Sequence, residues 1–176
     1  MDFLSNTDWS FPIPIYYGPD RIKELPNLCK LNNLSRPLIV TDKGSATLPF
    51  INNLLKDLNN SHIKCNLFSE ISPNPLDKEI NNGKLAFNDG RHDSIIAIGG
   101  GSGMDGGKAI SLIANNSQEL WEFDYDKPPI SKLSNFPPLI CIPTTAGTGA
   151  ETESTAMITN SELGMKLCIW HPKQKP

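Results

Sequence analysis

Ser94-Ile95-Ile96-Ala97-Ile98 runs without a break into Gly99-Gly100-Gly101-Ser102-Gly103-Met104-Asp105-Gly106-Gly107-Lys108-Ala109-Ile110. The first five residues form a short, continuously apolar run rich in β-branched side chains, the pattern of a strand buried on both faces of a parallel sheet. A helix follows, carrying Ile110, Leu112 and Ile113. Between them, residues 99–107 hold six glycines, so the backbone can turn tightly and approach a ligand with no Cβ in the way. Unpaired amides and the positive dipole end at the start of a helix favour an anion, and a diphosphate is the common occupant. A plain strand-to-helix turn would also use glycine, but three in a row, followed by Ser and more Gly, exceed what a turn requires.

The flanking sequence repeats this alternation. Ile13–Tyr17 and Leu38–Thr41 read as strands, Leu48, Ile51, Leu54, Leu55 and Leu58 recur at helical spacing, and Ile63–Phe68 reads as another strand. Ile22, Leu25 and Leu28 also have helical spacing, although Pro26 argues against a continuous helix there. Pro73-Asn74-Pro75 forces an extended turn. A helix over about Leu76–Asn88 should then bury Ile80, Leu85 and Phe87. Leu139–Ile142 makes a further strand, and Thr155–Thr159 with Lys166–Trp170 reads as a β-hairpin across a turn at Asn160–Gly164. Strands alternating with helices predict an α/β fold, a Rossmann-like parallel sheet with helices on both faces plus a small β-hairpin. Residues 1–176 are expected to form one such domain. Ligands of such sheets bind at the carboxyl ends of the strands, where Asp42, the glycines after Ile98 and the threonines after Ile142 all fall.

Composition narrows the partners. Of 176 residues, 38% are hydrophobic and 20% charged, which describes a globular rather than a disordered chain. A formal net charge of −3 supplies no basic field, so nucleic acid is not an expected partner. No apolar run is long enough to span a bilayer, and Met1–Ser10 lacks the pattern of a signal peptide. No membrane association and a cytoplasmic location are therefore expected. Cys29, Cys65, Cys141 and Cys168 are widely spaced and read as small, mostly buried thiols. His62, His92 and His171 are isolated and read as loop or surface histidines rather than metal ligands.

Spacing tests the identity of the phosphate motif. A Walker loop fails twice, because Ser102 stands where its first glycine belongs and Ala109 replaces the hydroxyl residue after Gly107-Lys108. Gly101-x-Gly103-x-x-Gly106 satisfies G-x-G-x-x-G, but the region where a Rossmann unit carries its acid is Gln118–Glu122, which reads as helix or loop. The acid at a strand end is Asp42 instead. Two readings stand for it: a ribose ligand that prefers NAD over NADP, or the cap of an Asp-Lys-Gly turn. Thr148-Gly-Ala-Glu151 fits a capping box as well as a ligand contact. Lys108, one turn into its helix, reads as a solvated surface lysine.

Gly99-Gly100-Gly101-Ser102 with Asp105 and Lys108, and about forty residues later Pro143-Thr144-Thr145-Ala146-Gly147-Thr148-Gly149-Ala150-Glu151, closely resemble the signatures of the iron-containing (group III) alcohol dehydrogenases. The likeness extends to Tyr17-Gly18-Pro19, Val40-Thr41-Asp42-Lys43 and Pro73-Asn74-Pro75, covering almost the whole chain. The resemblance implies an N-terminal nucleotide-binding α/β domain followed by a helical domain that holds iron or zinc. It further implies that Gly100, Gly101 and Ser102 hold the diphosphate of NAD, Asp42 the adenosine ribose, and that Asn74 lies near the dinucleotide. Thr144, Thr145 and Thr148 would line the nicotinamide half. Asp105 is the family's acid in the glycine segment, and Lys166 matches a cofactor-binding lysine.

The family's metal ligands, one Asp and three His, lie in the helical domain, whereas this sequence stops at Trp170–Pro176. The helical metal-binding domain is therefore expected to be absent, and no residue here is assigned a catalytic role. The expected function is the NAD-binding part of a metal-dependent alcohol dehydrogenase. That enzyme would move hydride between a small alcohol or aldehyde and the cofactor, and this chain would be inactive alone and prone to form homo-oligomers. The alternatives are a non-catalytic dinucleotide-binding module and a relative of dehydroquinate synthase or glycerol-1-phosphate dehydrogenase.

Overall fold

The computed structural model describes residues 7–10 and 13–176. A short hairpin opens the chain, with β1 (Thr7–Ser10) antiparallel to β2 (Pro14–Tyr17). There follow α1 (Leu25–Leu31), β3 (Pro37–Asp42), α2 (Pro49–Asn60), β4 (Asn66–Ile71), α3 (Asp77–Asp89), β5 (Ser94–Gly99), α4 (Gly101–Ala114) and β6 (Leu139–Pro143). A second hairpin, β7 (Thr155–Asn160) and β8 (Met165–Trp170), completes the order. The four central strands are all parallel and lie in the order β4-β3-β5-β6.

The apolar runs of β3 and β5 are continuous because these two central strands are covered on both faces, and their side chains alternate between two cores. Leu38, Val40, Ile95 and Ala97 face Ile80 and Phe87 of α3 and Ile110 and Ile113 of α4. Ile39, Ile96 and Ile98 face Leu25 and Cys29 of α1 and Ile51, Leu54 and Leu58 of α2. The expected α/β architecture, with helices on both faces and an added hairpin, is what forms. Ala156, Ile158 and Ile169 of the second hairpin join the α3/α4 core, so α4 is enclosed between sheet and hairpin.

Several local expectations need correction. Only Gly99 and Gly100 form the turn, since the helix already begins at Gly101. The remaining glycines serve close packing: a Cβ on Gly106 would lie 2.7 Å from Ile71 Cδ1, and one on Gly107 2.4 Å from Ala97 Cβ. β4 starts at Asn66 rather than Ile63, because His62 adopts a left-handed φ of 63° and the Ile63 amide donates back to Leu58 O at 3.0 Å, closing α2. Leu85 is 60% exposed, since the buried stripe of α3 is Glu79, Ile80, Gly83 and Phe87 and Leu85 projects from the opposite side. Pro26 lies within the first turn of α1, where a missing N–H costs no helical bond.

Candidate dinucleotide site at the strand ends

From β3 the chain crosses to β4 on one side and then returns past β3 to β5 on the other. Connections leaving in opposite directions open a crevice at the carboxyl ends of those two strands. Asp42 ends β3 and Gly99 ends β5. Thr41 Oγ1 donates to Ile98 O at 2.7 Å, tying the two strand ends together inside the sheet. Gly99 has a φ of 150°, a conformation that L side chains rarely adopt.

The sequence-predicted residues collect around this turn. A Cβ on Gly99 would lie 2.9 Å from Asp42 Oδ2. One on Gly100 would meet Thr145 Oγ1 at 3.4 Å, and one on Gly101 would meet Thr148 Oγ1 at 3.3 Å. The Thr144 amide donates to Gly99 O at 2.9 Å, continuing the β5–β6 pairing by one residue. The segment Pro73–Pro75 lies beside the first turn of α4, where Ser102 Oγ donates to Pro73 O at 2.5 Å. Lys166 Nζ donates to Asn74 Oδ1 at 3.2 Å, and the Thr159 amide to Pro75 O at 2.7 Å. Thus Asp42, Asn74, Gly100, Gly101, Ser102, Thr144, Thr145, Thr148 and Lys166 share one neighbourhood drawn from separate loops and strands.

Asp105 stands apart, one turn along α4. Burial raises its pKa above the ordinary carboxyl value, against the pull of Lys108, the Met157 amide and Lys166. Lys108 is the main correction here: it is 0% exposed, not a surface lysine, and its Nζ donates to Thr155 O at 3.0 Å. Burial lowers its pKa, opposed by Cys141, Asp105, Glu153 and Glu151. Cys141 beside it is pushed up to about 12 by burial and stays a neutral thiol.

Two capping expectations resolve differently. The Asp42 carboxylate does cap its turn, taking the Ser45 amide at 2.9 Å and the Ser45 hydroxyl at 2.7 Å. A carboxylate has about four acceptor positions, so these bonds leave capacity on the side facing Gly99. Thr148 Oγ1 takes the Ala150 amide at 3.2 Å, but the next element is a three-residue 3-10 turn, Ala150–Thr152, with Gly149 at its N-cap. Thr148 therefore makes a local hydroxyl turn rather than a capping box. His92 and His171 lie in loops, one of the two expected settings, but are buried rather than on the surface; a ring nitrogen of each bonds a backbone carbonyl, that of Arg36 and Ile130 respectively. Cavities lined by Ile130, Phe136 and His171 and by Leu34, His62 and Ile63 lie elsewhere and contain none of the predicted site residues.

A family profile described as "Iron-containing alcohol dehydrogenase" matches residues 12–176. The chain belongs to that family. It is 31% identical over 165 residues to the 1,3-propanediol dehydrogenase of Klebsiella pneumoniae, a match covering 92% of this chain and 42% of that enzyme. The crystal structure of a 1,3-propanediol oxidoreductase superposes with a TM-score of 0.82 at 30% identity, over 90% of this chain and 41% of the other. The sulfoacetaldehyde reductase of Bifidobacterium kashiwanohense, solved in complex with NAD+, superposes with a TM-score of 0.81 at 26% identity and the same coverage, 90% and 41%. The chain thus spans about two fifths of the length of these relatives.

The side-chain-free turn at Gly99 and Gly100, opening onto the start of α4, fits a dinucleotide of the kind the reductase binds. The iron that names the family finds no comparable fit, since among the described residues no three His, Cys, Asp or Glu side chains gather to hold a metal ion. No helix among them is long and apolar enough to cross a membrane.

Sequence reading missed two residues that shape the site. One is Lys108; the signal was available, because a helix apolar on every side is a buried helix, and a lysine within it is buried too. The other is Glu79, 7% exposed, whose Oε2 takes the Ser72 amide at 3.1 Å, the Ser72 hydroxyl at 3.0 Å and the Leu76 amide at 3.0 Å. Its position three residues after a helix cap was legible, but Leu76 at the cap hid the usual hydroxyl pattern. Glu79→Ala is expected to destabilise the chain by about 2–3 kcal/mol, because three donors lose their acceptor at once. Urea denaturation checks this, and an unchanged midpoint would show that Pro73–Pro75 is held by its other bonds.

Proposed function

We propose that this chain is the NAD-holding part of a metal-dependent alcohol dehydrogenase, with the pyrophosphate seated on the Gly99–Gly100 turn and the helix start at Gly101 and Ser102. The supporting observation is the convergence of a positive-φ glycine turn, the Asp42 carboxylate and the threonine loop at the β3/β5 switch point. Backbone amides of Gly100, Gly101 and Ser102, at the N-terminus of a 14-residue helix, are the donors for the diphosphate. Asp42 accepts from the adenosine ribose and repels the 2′-phosphate of NADP. Asn74 borders the dinucleotide, and Lys166 beside it supplies positive charge. Thr144, Thr145 and Thr148 line the nicotinamide half, and Asp105 acts from behind through its electrostatic contact with Lys166.

When bound, the nicotinamide supplies the hydride acceptor. The residues here orient it over the crevice and fix which end faces the alcohol. Calorimetric titration with NAD+ and ADP-ribose tests the reading: saturable heat is expected from both, and weaker binding from NADP. No saturable heat from either would sink it. Turnover is proposed for the longer architecture of the relatives, with its iron or zinc, rather than for these residues by themselves. Purified chain supplied with NAD+, ferrous ion and ethanol or a diol is expected to form no NADH, and NADH formation would refute that part.

A further inference from the structure

Lys108 is among the largest side chains enclosed completely, at 0% exposure. A buried ammonium is expensive to desolvate, and an apolar side chain of similar volume would pack as well, so packing alone does not account for it. Its position relative to the threonine loop does. That loop leaves β6 at Pro143, and its start is pinned by the Thr144 amide on Gly99 O at 2.9 Å. Its return is pinned where β7 begins, by Lys108 Nζ on Thr155 O at 3.0 Å. Both pins belong to the β5–α4 unit that carries the glycine turn. Between them Thr144, Thr145, Ala146, Gly147 and Thr148 are exposed, and a Cβ on Gly147 would meet nothing within 4 Å. The exposed threonines therefore take their placement from the ends of the loop, from the buried Ala150 that follows them and from the close approach of Thr145 and Thr148 to Gly100 and Gly101. Asp105 of α4 and Glu151 and Glu153 of the loop's return act electrostatically on the ammonium. The ammonium thus faces acidic charge on the loop's return as well as the Thr155 carbonyl, which an apolar side chain could not answer.

We propose that Lys108 is a positioning residue that ties the far end of the threonine loop to α4, and so sets the affinity for the nicotinamide half of the dinucleotide without touching it. This rests on the dinucleotide reading above. It separates two parts of one ligand: the glycine turn holds the pyrophosphate whether or not Lys108 is present, whereas Thr144, Thr145 and Thr148 stand over that turn only while both loop ends are pinned.

The test is calorimetric titration of the 176-residue chain and its Lys108→Met variant with NAD+ and with ADP-ribose, alongside thermal melts. The wild type is expected to bind NAD+ more tightly than ADP-ribose. In Lys108→Met the NAD+ affinity is expected to fall about tenfold, the loss of one charge-assisted hydrogen bond, while ADP-ribose affinity and melting temperature hold. Lys108→Gln, which keeps a donor without the charge, should fall between the two, and it carries the test if the methionine variant does not fold. Equal losses for both ligands would mark Lys108 as merely structural and overturn the proposal, as would no loss for either. Equal affinities of the wild type for both ligands would also overturn it, because the threonine loop would then not reach the nicotinamide half. A wild type that bound neither would remove the dinucleotide reading itself, and this role with it.

Discussion

Gly107→Val is expected to destabilise the chain by about 3 kcal/mol, the upper end of the cost of overpacking a well-packed core. A Cβ at this position would lie 2.4 Å from Ala97 Cβ and 3.4 Å from Ala97 Cα. Ala97 cannot give way, since its strand is paired on both sides, to β3 and to β6. Gly106 makes a useful contrast, for the atoms nearest to a Cβ there belong to the Ile71 side chain, at 2.7 and 2.8 Å, and a side chain can rotate away. Valine gains only a few tenths of a kcal/mol over glycine in helix propensity, too little to offset contact with fixed backbone. Urea or thermal denaturation measures the difference, with Gly147→Ala as the control expected to leave stability unchanged, because nothing lies within 4 Å of a Cβ there. A Gly107→Val chain that unfolds with the wild type would mean that α4 does not rest directly on β5.

Gly99→Ala is expected to weaken ADP-ribose binding by about ten- to a hundredfold, equivalent to roughly 1.4–2.8 kcal/mol. Two effects add. The φ of 150° strains any L side chain, typically by about 1–3 kcal/mol, which shifts the turn away from the geometry that presents its amides. The new methyl would also sit 2.9 Å from Asp42 Oδ2 and 3.6 Å from Gly103 Cα, so the carboxylate proposed for the ribose would have to move. Calorimetry with ADP-ribose, run beside a thermal melt, separates lost binding from lost folding. Undiminished affinity in a folded Gly99→Ala chain would show that the anion is held somewhere other than this turn.

Much of the site was legible because its parts are short and local. Ser94–Ile98 reads as a buried strand from its unbroken apolar run, and the glycines after it mark the turn into a helix. Asp42 and the threonines after Pro143 were placed at strand ends by the same alternation, and the hairpin over Thr155–Trp170 followed from two β-rich runs around a turn. The misreadings were of residues whose surroundings come from distant parts of the chain. Hydrophobicity places Leu85 in the core, yet its angular position on α3 turns it outward to 60% exposure. Charge places Lys108 on the surface, yet the second hairpin closes over α4 and encloses it. Glycines assigned to one long loop are divided between a two-residue turn and a helix pressed against Ala97 and Ile71.

Sequence alone determined the alternation of strands and helices from β3 to β6, the closing hairpin, the parallel sheet, the family and the chemical character of each strand end, because periodicity and backbone-permissive residues act over a few positions; the pairing of β1 with β2 was not among them. Tertiary structure decided which strand ends meet, that Ser102 and Lys166 both reach the Pro73–Pro75 segment, and that a lysine of α4 is fully buried beneath the start of β7. Those outcomes depend on the strand order β4-β3-β5-β6 and on the hairpin folding back over α4. Contacts of that range are set by how whole surfaces bury one another, which no window of a few residues contains.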